Sequence, residues 1–144
     1  PDQENAKLFR HNTKAFPNIK LLEAALRSSQ ERLAIQNPDS DYWSYQVSEA
    51  DSNSLKPIKG ITILDILSIF EEESIDILKM DIEGAEANLL TNSPELWVGK
   101  VKILAIELHQ NIEPRIYEIF RKFLTLRKHK VVKNKEYYFV YFEN

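Results

Sequence analysis

Apolar residues recur along the chain with two spacings, one typical of amphipathic helices and one of buried strands. Intervals of three and four predict helices over residues 2–16, 64–70, 85–90 and 112–126. Short apolar runs predict strands over residues 19–26, 60–63, 75–82 and 101–108, with two closing strands at 130–132 and 137–142.

The polar segment in the first half of the chain predicts a hairpin and a loop. Residues 32–36 and 42–47 flank the turn sequence Asn-Pro-Asp-Ser-Asp at 37–41, which is typical of a β-hairpin. Trp43 and Tyr45 in this hairpin either stack on a substrate or pack across the strands. Residues 48–57 are polar and predict a mobile loop.

The order of these elements predicts an α/β fold. The strands at 75–82 and 101–108 are apolar almost throughout, as strands covered on both faces are. Helices separate them, which favours a mostly parallel sheet with an antiparallel C-terminal pair. We expect residues 1–144 to form a single domain.

Composition and charge narrow the class of function. A net charge of −3 and a pI near 5.7 argue against a nucleic-acid partner. The basic run at 121–135 is expected to solvate a helix and the loop after it. The chain has no cysteine, which excludes disulfides and thiolate metal sites. No apolar run approaches the ~20 residues that cross a bilayer, and no signal peptide opens the chain, so we expect a cytoplasmic domain with no membrane partner.

The segment at 76–86, Asp-Ile-Leu-Lys-Met-Asp-Ile-Glu-Gly-Ala-Glu, resembles the signature of FkbM-type S-adenosylmethionine-dependent methyltransferases. In that signature a strand ends in an Asp-x-Glu-Gly-x-Glu turn. Further segments resemble the same family in the same order, namely residues 1–5, 15–19, 24–26, 63–67 and 106–109. The likeness therefore covers nearly the whole chain.

The resemblance implies a Rossmann-like class I methyltransferase sheet and S-adenosylmethionine as cofactor. It implies methylation of a hydroxyl on a small molecule or sugar. Ala25 and Leu26 would lie where the family's adenine ring lies, although plain core packing explains them equally well. The chain has only Gly60, Gly84 and Gly99, and none opens a glycine-rich cofactor turn. The comparison thus implies that the N-terminal strands of the sheet are missing and that these residues are the C-terminal two-thirds of the domain.

Two pairs of polar residues stand where neighbouring strands end, at the edge where open α/β sheets bind ligands. Asp81 and Glu83 are two apart, and so are Glu107 and His109, so each pair is expected on one face of its strand. Asp81 could bind a cation, accept a substrate proton or hold the methionine part of the cofactor. The alternative is that Asp81 or Glu83 caps the next helix.

His109 is a candidate general base for an attacking hydroxyl, or a loop residue that donates to a backbone carbonyl. Related folds that methylate catechols hold magnesium at these strand ends. By analogy Asp81, Glu83 and Glu107 are candidate Mg²⁺ ligands. Glu86 is expected in the first turn of a helix, where it would stabilise the helix dipole.

Two other functions remain open. A non-catalytic methyltransferase-fold remnant acting as an interaction module would explain the absent glycine-rich turn. A nicotinamide-dependent α/β enzyme would need a glycine fingerprint and gives no reason for the Asp-Ile-Glu-Gly turn.

Overall fold

A computed structural model describes residues 2–35, 46–50 and 57–143. Its helices are α1 (Gln3–Thr13), α2 (Ile63–Phe70), α3 (Glu86–Thr91), α4 (Glu95–Val98) and α5 (Ile116–Leu124). Its strands are β1 (Ala25–Leu26), β2 (Arg32–Ile35), β3 (Val47–Glu49), β4 (Ile58–Ile61), β5 (Ile75–Met80), β6 (Val101–Glu107), β7 (His129–Asn134) and β8 (Tyr137–Phe142). The α/β class is confirmed. Among the described residues, no helix has the length and apolar character needed to span a membrane.

The strands form two mixed sheets, so the prediction of one mostly parallel sheet is wrong. Their orders are β1-β4-β2-β3 and β5-β6-β8-β7. Only β1–β4 and β5–β6 are parallel pairs within the described residues. β2 pairs antiparallel with both β3 and β4, and β8 with both β6 and β7. The turn between β7 and β8 is short, and short connections join antiparallel neighbours.

Helices cover one face of the second sheet, and the other face keeps exposed apolar side chains. Leu104 and Val140 face the core, where they join Phe120 and Phe123 of α5. The alternate positions include Ile77, which is 64% exposed. The prediction that β5 is buried on both faces is therefore wrong. β5 lies at the sheet edge, where the described part of the chain leaves the side chain of Ile77 exposed.

A continuous core nevertheless joins the first sheet to the second. Leu26 of β1 packs against it from one side, and Ile63 and Leu67 of α2 are buried within it. The backbone N–H of Ser28 also donates to the Asn88 side chain at 2.9 Å. These contacts place the loop after β1 next to α3.

Several element boundaries differ from the sequence prediction because local chemistry sets them. The first predicted strand shortens to Ala25–Leu26, which pairs with Gly60 and Ile61. Thr62 ends β4 and caps α2, where it forms a reciprocal capping box with Asp65. The predicted last helix begins only at Ile116, because Pro114 disfavours helical geometry in the residue before it.

Part of the predicted hairpin lies outside the described residues, including its turn at 37–41, Trp43 and Tyr45. Its flanking strands β2 and β3 are antiparallel, with Ile35 opposite Val47. β3 extends to Glu49, so the predicted loop begins later than expected. Residues 51–56 of that loop are also outside the described part.

Arg127 departs from the solvating role predicted for the basic run. Its guanidinium donates to the carbonyl oxygens of Val98 and Val101 at 3.0 Å each, and to that of Glu143 at 3.0 Å. It also lies over the Phe142 ring. Arg127 therefore ties the end of α4 and the start of β6 to the last described residues.

Candidate functional site

The candidate site lies where β5 and β6 end side by side. The two strands are parallel and in register from Ile75 opposite Val101 to Met80 opposite Ile106. Asp81 follows the last residue of β5, while Glu107 ends β6 and His109 follows two residues later. Their side chains therefore reach the same edge, as expected for the carboxyl ends of parallel strands.

A tight turn after β5 carries the signature residues. Glu83 has a left-handed backbone with φ 49°, and Gly84 follows with φ 93°. A Cβ on Gly84 would lie 2.5 Å from Cγ2 of Ile112, so both backbone angle and space require glycine. A left-handed non-glycine residue such as Glu83 is uncommon, and such strain concentrates at functional sites.

His109 is the centre of the site. Its side chain is only 10% exposed. Nδ1 lies 2.9 Å from Oε1 of Glu86. Nε2 lies 3.6 Å from Glu83, 3.7 Å from Glu107 and 3.9 Å from Asp81, each measured to a carboxylate oxygen. These last distances exceed a hydrogen bond, so Nε2 faces three carboxylates without bonding to any described residue.

These five residues, Asp81, Glu83, Glu86, Glu107 and His109, are called the His109 cluster below. Glu86 is its fully buried member, at 0% exposure. Its Oε1 accepts the backbone N–H of Ile82 at 3.0 Å, and its Oε2 accepts that of Gly84 at 2.9 Å. The residue does lie in the first turn of α3, but its carboxylate is bound to the turn and to His109.

Asp81 is held in its charged form by two donors. Its Oδ2 accepts the Tyr137 hydroxyl at 2.7 Å and the Lys79 ammonium at 2.9 Å. Burial alone would raise the pKa of Asp81, but these two hydrogen bonds outweigh it and lower the pKa below the usual value. The same bonds raise the pKa of Lys79 and of Tyr137, in each case chiefly through the contact with Asp81.

The pKa of Glu83 is shifted in the opposite direction, above its usual value. Burial raises its pKa, and the negative charges of Asp81, Glu86 and Glu107 raise it further, against the opposing effect of His109. The two carboxylates of the Asp-Ile-Glu segment therefore differ in basicity, with Asp81 the weaker base.

Two alternative interpretations of the sequence are wrong. The N-cap of α3 is Ala85, which has no side-chain cap, so neither Asp81 nor Glu83 caps that helix. His109 Nδ1 contacts the Glu86 carboxylate rather than a backbone carbonyl. A contact of that kind is made by His129, whose Nδ1 lies 2.8 Å from the carbonyl oxygen of Arg127.

The signature turn and the residues around it place the chain in a family. A sequence model of the methyltransferase FkbM domain matches residues 2–135. The chain belongs to the FkbM methyltransferase domain family. The family resemblance predicted from the sequence is thereby confirmed. Comparison with curated proteins and with solved structures gave no significant match.

Tyr137 and Lys79, which contact the cluster, were missed by the sequence interpretation. Tyr137 begins the aromatic strand β8, whose side chains would be expected in the core, yet its hydroxyl binds Asp81. The signal lies in the strand pairing, because antiparallel β8 places Tyr137 opposite Glu107. Lys79 could have been found from its spacing, since it lies two residues before Asp81 on the same face of the chain.

Ala25 and Leu26 lie in β1, at the other sheet of the FkbM domain. Ala25 is buried and Leu26 packs against the core. In the described residues no hydrogen bond or ion pair joins either residue to the His109 cluster. Their predicted contact with the adenine ring stays a prediction.

Three members of the cluster could hold one metal ion. Asp81, Glu107 and His109 each offer a ligand atom, and these atoms lie within 4.8 Å of one another. Glu83, which the sequence proposed as a ligand, is not in this group. The set contains one imidazole nitrogen, which suits Mn²⁺, Fe²⁺ or Zn²⁺ better than Mg²⁺, because Mg²⁺ prefers oxygen ligands.

A separate groove lies between α3 and α5. It is lined by Leu90, Ile119 and Phe123, among others, and by no member of the His109 cluster. The chemistry of this FkbM domain is therefore expected at the sheet edge rather than in that groove.

The turn predicts a large difference between two glycine substitutions. Gly84→Ala should lower the free energy of unfolding by about 2 kcal/mol or more, because alanine strains the left-handed backbone and meets Ile112. Gly99→Ala is the matched control. Gly99 has a φ of −68° and nothing within 4 Å of the added Cβ, so its substitution should be neutral or slightly stabilising. Urea denaturation of both variants measures the difference, and equal effects would contradict the turn geometry.

The hydrogen bond from the Tyr137 hydroxyl to Asp81 is expected to stabilise the protein by an amount that depends on pH. Because the folded pKa of Asp81 lies below its usual 3.8, its bonds stabilise the protein above about pH 4, and this is lost as the pH falls through the lowered pKa. Tyr137→Phe should therefore cost about 1 kcal/mol at pH 7 and less in acid, and should raise the pKa of Asp81.

Carboxyl ¹³C NMR gives the pKa of Asp81, and urea denaturation at several pH values gives the stability. Tyr141→Phe is the control, because Tyr141 is an exposed tyrosine of the same strand. An unchanged pKa of Asp81 in Tyr137→Phe would show that the hydrogen bond does not hold the carboxylate in its charged form.

Proposed function

We propose that this FkbM domain transfers the methyl group of S-adenosylmethionine to a hydroxyl on a small molecule or sugar. The observation that carries the proposal is the state of His109 Nε2. This nitrogen belongs to a side chain that is only 10% exposed, faces three carboxylates and bonds to none of the described residues. It is therefore placed to take a proton from an incoming hydroxyl.

The chemistry of the site fits the positively charged part of the cofactor. When bound, S-adenosylmethionine supplies a methyl group attached to a sulfonium, next to an amino-acid ammonium. Four carboxylates meet in the His109 cluster, and Lys79 is the only lysine or arginine bonded to any of them among the described residues. The excess negative charge suits a cationic ligand. This charge complementarity supports binding of the methionine part of the cofactor at the His109 cluster. Binding of the adenine part depends on the predicted role of Ala25 and Leu26.

The two proposed catalytic residues have different tasks. Asp81 is a weak base because Tyr137 and Lys79 lower its pKa, and both bonds occupy Oδ2. Its Oδ1 lies 3.9 Å from Nε2 of His109, so a hydroxyl oxygen between them could direct its single proton to either acceptor, first to Asp81 while it is oriented and then to His109. We assign Asp81 to orienting the hydroxyl and His109 to accepting its proton.

Positioning supplies the rest of the proposed rate enhancement. Methyl transfer is an in-line displacement, so the nucleophile must be held close to the methyl group and aligned with it. Glu83 and Glu107 flank Nε2 at 3.6 and 3.7 Å and would stabilise the imidazolium that forms.

Methyl transfer tests the proposal directly. The protein is incubated with methyl-labelled S-adenosylmethionine and a panel of sugars, polyols and phenols, and mass spectrometry locates the label. We expect a methyl ether as product. His109→Asn should lower kcat by about 10²- to 10⁴-fold, because it removes the proton acceptor. His129→Asn is the matched control and should retain activity, since His129 contacts the carbonyl of Arg127 outside the cluster.

Two results would decide against this function. Methylation on nitrogen or carbon would overturn the choice of a hydroxyl. Neither binding nor turnover of S-adenosylmethionine by a protein that also carries a glycine-rich cofactor turn would instead favour the non-catalytic interaction module. The predictions of no nucleic-acid partner, no membrane partner and a cytoplasmic location stay predictions.

As an alternative to the general base, since the one lone pair on Nε2 cannot serve both roles, we propose a divalent metal ion held by Asp81, Glu107 and His109, which would orient an acceptor oxygen. Calorimetric titration with Mn²⁺ and Mg²⁺ tests this without methyl transfer. The imidazole ligand predicts tighter binding of Mn²⁺ than of Mg²⁺. Glu107→Gln should weaken binding, whereas Glu113→Gln, whose carboxylate contacts Arg115, should not. The absence of binding heat with either ion would end the metal hypothesis.

A further inference from the structure

Glu86 is the most deeply buried charged residue among those described, and every contact of its carboxylate is to a nitrogen. Two of these nitrogens are the backbone amides of Ile82 and Gly84, which can only donate. The third is Nδ1 of His109, at 2.9 Å from Oε1. Because both oxygens already accept a backbone N–H, Glu86 presents an acceptor to His109.

We infer that Glu86 is a positioning residue that fixes His109 with the proton on Nδ1 and the lone pair on Nε2. An imidazole nitrogen facing an acceptor at hydrogen-bond distance must carry the proton. In the neutral ring the other nitrogen then has the lone pair. This lone pair points toward Asp81, Glu83 and Glu107.

The other neutral form of the ring, with the proton on Nε2, is also favoured by some of the contacts. The distances must therefore decide between the two forms. A proton on Nε2 would be attracted by three carboxylates. Their oxygens, however, lie 3.6 to 3.9 Å away, against 2.9 Å for Glu86. The side chains of Asp81, Glu83 and Glu107 are also 24 to 28% exposed, so water screens their attraction. Glu86 is fully buried and pinned by two amides, so its bond is both shorter and less screened.

This preference determines what the site can do, a consequence that rests on the proposed function. A general base at His109 needs the lone pair on Nε2, and so does a metal ligand at the same atom. The reverse form would turn Nε2 into a donor and would block both roles. Glu86 therefore acts through His109 and through the turn, without facing the reacting groups itself.

The test is an NMR measurement of ring protonation that needs neither cofactor nor acceptor. Long-range ¹H–¹⁵N spectra of histidine-labelled protein, recorded at about pH 8.5 where imidazole is normally neutral, report which nitrogen carries the proton. We expect His109 to be protonated on Nδ1. His129 is an internal reference, because its Nδ1 faces a carbonyl that can only accept. The signals are assigned by their loss in His109→Asn and His129→Asn.

Two variants separate Glu86 from the general charge of the cluster. Glu86→Leu should shift His109 toward protonation on Nε2, because leucine offers no acceptor to Nδ1 and removes the buried charge. Glu107→Gln removes one charge on the Nε2 side and should leave the proton on Nδ1. His129 should be unchanged in both variants, which reports that the fold around it is intact.

A wild-type His109 protonated on Nε2, or on both nitrogens, would overturn the inference even if Glu86→Leu does not fold. So would a folded Glu86→Leu protein that keeps the proton on Nδ1. Failure of methyl transfer in a protein with the expected ring form would count against the proposed function and leave the role of Glu86 standing. The proposed function and the positioning role of Glu86 can therefore be contradicted independently of each other.

Discussion

A single buried carboxylate organises the edge of the second sheet. Glu86 has no exposed surface, so its charge must be met by donors inside the protein. Two of these donors are backbone amides of the turn after β5, and the third is the ring of His109 beyond β6. The carboxylate thus joins the ends of two neighbouring strands. Loss of any of these bonds would leave a buried charge under-satisfied, which makes the turn and the imidazole mutually dependent.

Around this fixed centre, the carboxylates of Asp81 and Glu83 differ in pKa. Tyr137 and Lys79 lower the pKa of Asp81, while burial and neighbouring charges raise the pKa of Glu83. Chemically similar side chains two residues apart therefore have different proton affinities. Such separation allows one acidic group to stay charged while another group moves a proton. It also keeps the site strongly negative, which suits a cationic methyl donor or a divalent ion.

The mixed sheet contributes to the site in a way that a parallel sheet would not. The first residue of a parallel strand lies at the edge opposite to the ligand-binding edge. Since β8 runs antiparallel to β6, its first residue Tyr137 instead lies opposite Glu107, at the end of β6. The reversal of one strand thereby brings a phenol into contact with Asp81. The sequence predicted an antiparallel C-terminal pair, which the pairing of β7 with β8 confirms, but it did not show that this reversal brings Tyr137 to the site.

The sequence by itself determined the α/β class, the family and the positions of the two strand ends that carry the chemistry. These features depend on local periodicity and on the signature at 76–86, both of which are properties of neighbouring residues. It also indicated that Asp81 and Glu83 would lie near Glu107 and His109, because apolar strands separated by helices are usually parallel neighbours.

Only the tertiary structure decided how those residues are used. Sequence spacing placed Glu86 in a helix turn but could not show that its carboxylate turns back to His109, which lies 23 positions later. Nor could it separate Tyr137 from the core aromatics of its own strand, because strand partners and direction are long-range properties. Exposure of Ile77 likewise depends on which elements pack against β5. Hydrogen bonds and strand pairings between distant residues depend on the whole fold. The apolar periodicity that predicts each helix or strand depends only on neighbouring residues.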